Sequence, residues 1–562
     1  MHCPGGFIST SRSHHSRQVL KIQHRNWYRR APRNERIPPI PTEQPMTWND
    51  DVKEIERQRR MAEQMGGADS VAFQHGRGKL TVRERVDLLA DPGTFHEIGA
   101  LAGTATWEDG AVAALKPSNM VVGTVRVDGR KVAFSGGDFT IRGGASDANI
   151  GNKSRFAEQF ALRSRLPFVR LLDATGGSVK TFEQIGRTYL PGGAGTDVST
   201  HLLQAVPVVS AVLGSVAGLP AVQACLCHFS VMVKGTSQVF VGGPKVVEQA
   251  TGQRITKEEL GDERTQIRNG VVMNLAEDEA DAIAQVRRFL SYLPSSVWEA
   301  PPERTPDDDP DRRAESLLSV VPQDRRRTYD PHAIIDAVVD EGSFFEIGPL
   351  YGQARVTGLA RVDGIPCGVM SNDPRFNGGS MDIAAGEKML RLLELCETFH
   401  LPLVYFADEP GFSVGPAQER LGIVRAGARV VTALNSSRTP YICFVVRQLY
   451  GVAGGLHWRG QGFCRRYAWP SAHGGSMHIQ GGTAIAYKRE IEAAEDPEAK
   501  RAEIEARLFA ISSPFRNAHA FGVEEIIDPR DTRSLLVDFV RDAQRVVAAE
   551  LLGPATGPSY RP

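Results

Sequence analysis

The chain has 562 residues, more than one hydrophobic core supports, which predicts two or three domains. Lys plus Arg and Asp plus Glu both total 66, so the zero net charge excludes a global field for nucleic acid or an anionic membrane. No apolar run approaches the roughly 18 residues of a membrane helix, and the scattered cysteines, without a C-x-x-C pair, argue against a zinc ribbon or a disulfide framework. A reducing cytoplasm fits best.

Residues 1–45 stand apart. Arg12, Arg17, Lys21, Arg25, Arg29, Arg30 and Arg33 precede the first acid, Glu35, and a proline cluster follows. Such a basic leader can be a mitochondrial presequence, which would place the protein in the matrix. It lacks amphipathic periodicity, however, and Met46 precedes a well-formed helix, so a disordered tail or an overextended start is expected.

Beyond the leader, apolar β-rich runs alternate with helical segments. KVAFSGG reads as a strand, ANIGNKSRFAEQFALRSR as a helix, PFVRLLDA as a strand, then a glycine loop and the strand VPVVSAVLGS. That order is βαβ and predicts an α/β fold with parallel sheet. The second half repeats the first at a shift of 235 residues. VDG at 127–129 recurs at 362–364, Asp147 matches Asp382, Gly151 Gly386, Lys153 Lys388, Pro167 Pro402 and Asp173 Asp408. Upstream, PGTFHEIG (92–99) answers EGSFFEIG (341–348). Shared α/β periodicity would align apolar residues, not Asp, Lys and Gly together, so the chain is an internal duplication. Domains are expected at 46–300 and 330–562, joined by the proline- and charge-rich linker 301–329.

Each half places glycines after strands: DATGG (173–177) and GSVAGLPA (214–221), then DEPGF (408–412) and LYGVAGGLHWRG (449–460). Such turns let a ligand approach backbone amides, and a following helix adds partial positive charge. Paired amides on one oxygen form an oxyanion hole. A single loop of this kind is more often only a tight turn; matching loops in both halves favour two carbonyl sites. There is no H-E-x-x-H, Walker A or G-x-G-x-x-G pattern, so backbone donors plus a cofactor-borne group are expected.

Four stretches carry a family resemblance: FSVMVKGTSQVFVGGPKVVEQATGQRITKEELG (229–261), GFSVGPAQERLGIVRAGARVVTAL (411–434), YAWPSAHGGSM (467–477) and SPFRNAHAFGVEEIIDPRDTR (513–533). They are similar to carboxyltransferase (β) subunits of biotin-dependent acyl-CoA carboxylases, of the propionyl-CoA and methylcrotonyl-CoA carboxylase type. The resemblance covers about residues 50–550 and implies two tandem crotonase-like domains, the N-terminal one binding acyl-CoA and the C-terminal one of a partner subunit binding carboxybiotin. It also implies biotin on a separate carrier, a biotin carboxylase partner, and self-association as a trimer of dimers.

Carried over by position, the catalytic amides fall on Gly218 and Leu219 for the thioester, and on Val452 and Ala453 for biotin. Arg142, Gly143, Gly144, Gly176, Gly177, Gly451 and Gly454 are the expected ligand-binding positions, with no metal. Arg142 is the candidate for a CoA phosphate. The sequence departs from the family at Leu219 and Pro220, at Gly455, where a position that helps set acyl size has no side chain, and at GDERTQ (261–266), which lacks the family's histidine. Asp173 and Asp408 are expected to cap turns, and Lys153 and Lys388 to be solvated helix lysines. His457 and Trp458 could stack on a ring or simply pack. A decarboxylase subunit running the same transfer backwards, a non-catalytic scaffold, and a biotin-free hydratase or thioesterase are the alternatives; the last needs an acid near Gly218, and none is present.

Overall fold

A computed structural model describes residues 47–190, 192, 196–457, 462–557 and 560–561; the basic leader therefore lies outside the described residues. The chain divides at Glu54 into a short N-terminal unit and a body from Ile55 onward.

The first half of the body contributes β1 (His96–Glu97), β2 (Gly103–Glu108), β3 (Ala111–Pro117), β4 (Met120–Val127), β5 (Arg130–Gly137), β6 (Phe168–Ala174), β7 (Val208–Ala217), β8 (Phe229–Val233), β9 (Gln238–Phe240) and β10 (Asn274–Ala276). The second contributes β11 (Phe345–Glu346), β12 (Arg355–Val362), β13 (Ile365–Asn372), β14 (Leu403–Glu409), β15 (Tyr441–Tyr450), β16 (Cys464–Ala468), β17 (His473–Gly475) and β18 (Glu525–Ile526). The first sheet runs β1-β4-β5-β6-β7-β8-β10 with β9 on β7; the second runs β11-β12-β13-β14-β15-β16-β18 with β17 on β15. The two sheets have one topology, so the duplication read from sequence is structural.

Each sheet opens with an antiparallel hairpin and continues in parallel. The hairpin turns are the repeated VDG. Asp128 and Gly129 have φ 51° and 79°, Asp363 and Gly364 have 53° and 76°, the left-handed pair that a two-residue turn needs to match strand twist. Five matched strands begin 235 residues apart, β4 with β12, β5 with β13, β6 with β14, β8 with β16 and β9 with β17. The other three matched pairs depart from that shift: β1 with β11 by 249 residues, β7 with β15 by 233 and β10 with β18 by 251.

The halves share a core. Phe229 of β8 stacks on Phe289 at 4.9 Å between ring centres and meets Phe345 of β11 edge-on at 5.4 Å. The segment expected to be a linker is tied down: Arg312 donates to the Ala337 and Val339 carbonyls at 3.0 and 2.9 Å, and the buried Arg533 donates to the Asp309 carbonyl at 2.7 Å.

Candidate active site

The two long strands β7 and β15 change partners along their length. β7 pairs β8 over Val209–Val212 and then β9 over Ser215–Ala217; β15 pairs β16 and then β17 over Gln448–Tyr450. In the second half a pocket lies at this split, lined by Leu449 of β15, Ala468 of β16 and Gly474 and Gly475 of β17, and in both halves the strand continues past the split into its turn. Both candidate turns start there. Ala217 pairs Phe240 and Tyr450 pairs Gly475, so Gly218, Leu219 and Pro220 match Gly451, Val452 and Ala453.

The glycine loops converge on the first turn. A Cβ on Gly144 would lie 2.7 Å from the Ala174 Cα, and one on Gly176 would collide with the Ala217 carbonyl. Only glycine permits this approach. Arg142, Gly143 and Gly144 all adopt left-handed φ, 53°, 61° and 69°, as do their counterparts Asn377, Gly378 and Gly379. For Arg142 that conformation is strained, and its guanidinium pairs with the buried Asp147 carboxylate. The cation expected to meet a phosphate thus has a carboxylate already beside it.

The amides of the first turn are not equivalent. Gly218 (φ 65°) donates its N–H to the Val241 carbonyl at 3.1 Å. Pro220, in the first turn of the helix Leu219–Cys225, has no N–H. This leaves the Leu219 amide, for which no partner occurs among the described residues, as for the Gly177 amide in the adjoining loop. The second turn is more generous. Gly451 (φ 63°), Val452 and Ala453 begin the helix Gly451–Gly455, and their three amides have no partners among the described residues, the usual condition of a helix N-terminus. Val452 is 66% exposed. Gly454 packs back on the strand end, where a Cβ would sit 2.8 Å from the Leu449 carbonyl carbon, whereas at Gly455 it would meet open space.

Buried ions brace both turns from behind. Asp173, expected to cap a turn, is fully buried. It accepts from Gln74 Nε2 and Arg85 at 3.1 Å each and from Lys79 at 2.5 Å. Gly214 of β7 must be glycine, because a Cβ would collide with Asp173 Oδ1 and lie 2.5 Å from Lys79 Nζ. Asp408, likewise buried, accepts from Arg447 at 2.8 Å, the Tyr329 hydroxyl at 3.1 Å and the Gln448 amide at 3.1 Å. Both aspartates are therefore charge anchors under the strand ends, not caps.

Lys153 and Lys388 are also not solvated. Lys153 is buried against Glu97 at 3.7 Å, and desolvation, partly offset by Glu97, lowers its pKa. Lys388 is 5% exposed, and desolvation brings it down to about 8. His457 is buried, 2.8 Å from the Tyr441 hydroxyl and 4.2 Å from the Tyr405 ring centre, which makes it a packing residue. Trp458 lies outside the described residues. Where the family's histidine is missing, Gln266 is buried and donates to the Val239 carbonyl at 2.7 Å, steadying β9.

The sequence reading missed one pattern. The G-x-S-x-G spacing of serine hydrolases occurs at Gly411–Gly415. Ser413 there is buried, and its Oγ accepts from Asn377 Nδ2 at 2.7 Å, with no histidine bonded to it among the described residues. No activated nucleophile is built. No cluster of three metal-ligating side chains occurs among the described residues either, and none of the described helices is long and apolar enough to cross a membrane.

Residues 73–545 match the carboxyl transferase domain model. The chain belongs to the carboxyl transferase family. It is 36% identical to the propionyl-CoA carboxylase carboxyltransferase subunit of Haloferax mediterranei over 88% of this chain and 96% of that one. It is 34% identical to the methylmalonyl-CoA carboxyltransferase 12S subunit of Propionibacterium freudenreichii subsp. shermanii over 86% and 92%. A third relative, the methylmalonyl-CoA decarboxylase subunit alpha of Veillonella parvula, is 32% identical over 84% and 92%. The solved transcarboxylase 12S structure, described as a hexamer with methylmalonyl-coenzyme A bound, superposes with a TM-score of 0.79 at 30% identity, covering 93% of this chain and 98% of that one. Family and structural neighbours agree with the duplicated α/β fold and with the crotonase-like domains that the family resemblance implied.

Proposed function

We propose that this carboxyl transferase family member is the carboxyltransferase subunit of a biotin-dependent acyl-CoA carboxylase. It moves a carboxyl group from carboxybiotin, held on a separate carrier, to the α (or vinylogous) carbon of an acyl-CoA thioester. The observation that carries the reading is the pair of matched turns at the ends of β7 and β15, with unspent amides beside glycine-lined loops.

The residues fit two oxyanions. At the second turn the Val452 and Ala453 amides face an oxygen that gains charge, which suits the ureido oxygen of biotin. When bound, carboxybiotin supplies the carboxyl group and, once this is released, a base. At the first turn the Leu219 amide, with Gly177 as the candidate second donor, stabilises the thioester oxygen as the α-proton leaves. Each such donor is worth roughly a hundred- to a thousandfold in rate, so no side-chain base is required. Gly451 and Gly454 shape the biotin turn, and Gly143, Gly144 and Gly176 let the acyl-CoA backbone contacts form. The open space at Gly455 favours a larger or unusual acyl group.

The carrier and a biotin carboxylase are the proposed partners, and the assembly a hexamer built as a trimer of dimers. Exposed apolar residues flank both turns, Leu219, Val222 and Val241 at the first and Val414, Val424 and Val452 at the second. Facing the N-terminal half of one subunit with the C-terminal half of another would cover both sets and exclude water from the transfer. The proposed location is the cytoplasm, or the mitochondrial matrix if the leader is a presequence.

A second reading rests on the spent Gly218 amide and on Pro220: a homologue that keeps the fold without turnover. Carboxyl exchange between a panel of malonyl-type thioesters and free biotin separates the two. Transfer with at least one thioester is expected. Absence of transfer together with absence of CoA binding would overturn the proposal. The 32% identical decarboxylase subunit makes the reverse direction a third outcome, decided by which biotinylated partner co-purifies from cells.

A further inference from the structure

Away from both turns, a cavity of about 30 Å³ lies where the two halves meet, lined by Met273 of the first half and Ile347, Tyr351, Lys388, Arg391 and Leu392 of the second. That is room for a small guest such as a few waters or a CO₂ molecule. The Lys388 Nζ that lines it is buried and has no hydrogen-bond partner among the described residues.

The duplication supplies the comparison. In the first half Arg83 and Lys153 both hold Glu97, at 2.8 and 3.7 Å. The matching residues are His332, Glu346 and Lys388. His332 keeps its contact with Glu346, at 2.9 Å, but Lys388 has no ion pair with it. One lysine of the pair has thus been withdrawn from its carboxylate and left facing a small, mostly apolar space.

We propose that Lys388 is a carbamylation site that takes up dissolved CO₂. CO₂ is small and apolar enough to enter past Leu392 and Ile347. The neutral amine nitrogen attacks its carbon, forming the C–N bond, while one C=O π pair moves onto oxygen. The nitrogen then releases a proton to water, leaving a lysine carbamate without change of oxidation state. Arg391 on the same cavity wall gives the new anion a counter-charge; one of its NH groups is held by the Gly270 carbonyl at 2.8 Å. The other charged groups acting on the amine are Glu346, Arg355 and Asp373. Arg355 is paired with Glu409 at 2.6 Å and Asp373 with Arg375 at 2.7 Å. Desolvation, the largest influence, supplies neutral amine near pH 8. The inference does not depend on the transfer reaction proposed above, since dissolved CO₂ alone suffices.

The test uses the full-length protein, ¹³C-bicarbonate with carbonic anhydrase, and triethyloxonium tetrafluoroborate to trap carbamates as ethyl esters for peptide mass spectrometry. The labelled ester is expected on Lys388 and not on Lys153, an internal control in the same molecule. At fixed dissolved CO₂ the trapped label is expected to fall at least tenfold from pH 9 to pH 7, because the neutral fraction of an amine with pKa about 8 falls about tenfold and the released proton drives the carbamate back further. A carbamate carbonyl signal in the ¹³C spectrum of the untrapped protein, absent from a folded K388M variant, is the second readout. Lack of label on Lys388 in folded protein, or equal label on both lysines, would overturn the proposal.

Discussion

Ala453→Pro tests the second amide turn directly. It deletes one N–H at a buried position, and the matched position of the first half already carries proline, Pro220, inside the helix Leu219–Cys225. The backbone of this turn therefore accommodates the ring, and a first-turn amide has no helical hydrogen bond to lose. If Ala453 donates to a developing oxyanion, its loss costs about 3 kcal/mol of transition-state stabilisation, a hundred- to a thousandfold in kcat. The assay is carboxyl transfer from a malonyl-type thioester to free biotin, with acyl-CoA affinity and thermal melting measured alongside. Expected are a collapsed kcat, unchanged acyl-CoA binding and a Tm within a few degrees of the parent. Val452→Pro, at a 66% exposed position where a ring has room, removes the neighbouring donor and should act alike. If either variant keeps both its fold and a kcat within threefold of the parent, that amide is not a donor; if both do, the two-hole mechanism fails.

The first turn gives the converse: Pro220→Ala adds an N–H that the duplication predicts, and kcat for the thioester step is expected to rise several-fold with no gain in affinity. Gly214→Ala drives a Cβ into Asp173 Oδ1 and to 2.5 Å from Lys79 Nζ, and should cost several kcal/mol of stability or abolish soluble expression. Arg355→Met leaves the buried Glu409 without its partner at 2.6 Å and should lower unfolding free energy by about 3–5 kcal/mol, with Arg355→Met plus Glu409→Leu recovering part of the loss. His332 carries a pKa raised to about 9, first by its bond to Glu346 and further by Asp330. Its folded value lies above the unfolded one, so its stabilisation is complete below about pH 6.5 and is lost as pH rises through about 9. The melting temperature of the parent should therefore fall more between pH 7 and 10 than that of H332Q.

The duplication, the hairpin turns and the position of both amide turns were legible because each is written in local chemistry: an Asp-Gly pair that needs left-handed φ, or glycines in register after apolar runs. What the sequence hid is set by distant partners. Whether the Gly218 N–H is free depends on the Val241 carbonyl, brought alongside by β9. Lys388 looks solvated on the rule that lysines leave the core, yet Met389, Leu390, Leu392 and Leu393 are buried around it, because its helix has few exposed positions. Asp173 and Asp408 end strands where a turn cap is the default, but Arg85 and Arg447 reach them beneath the sheet. The segment 301–329 has a linker's composition and still binds the second half through arginines, which composition does not register.

The two halves have drifted in the number of donors they offer, and the direction of the drift is informative. Among the described residues the second turn keeps three amides without partners, whereas the first commits one to Val241 and lacks another at Pro220. A thioester enolate and a ureido anion need comparable stabilisation, so the first site requires a donor from elsewhere. The adjoining loop can provide it: a side chain at Gly176 would strike the Ala217 carbonyl, so loop and turn are in contact, and Gly177 follows with open space where a Cβ would be and with no partner for its N–H among the described residues. Under the proposed assignment, the acyl site would be made by two loops and the biotin site by one. Specificity for the acyl group would accordingly follow changes in the loop after β6, while changes after β15 would act on transfer from every thioester alike.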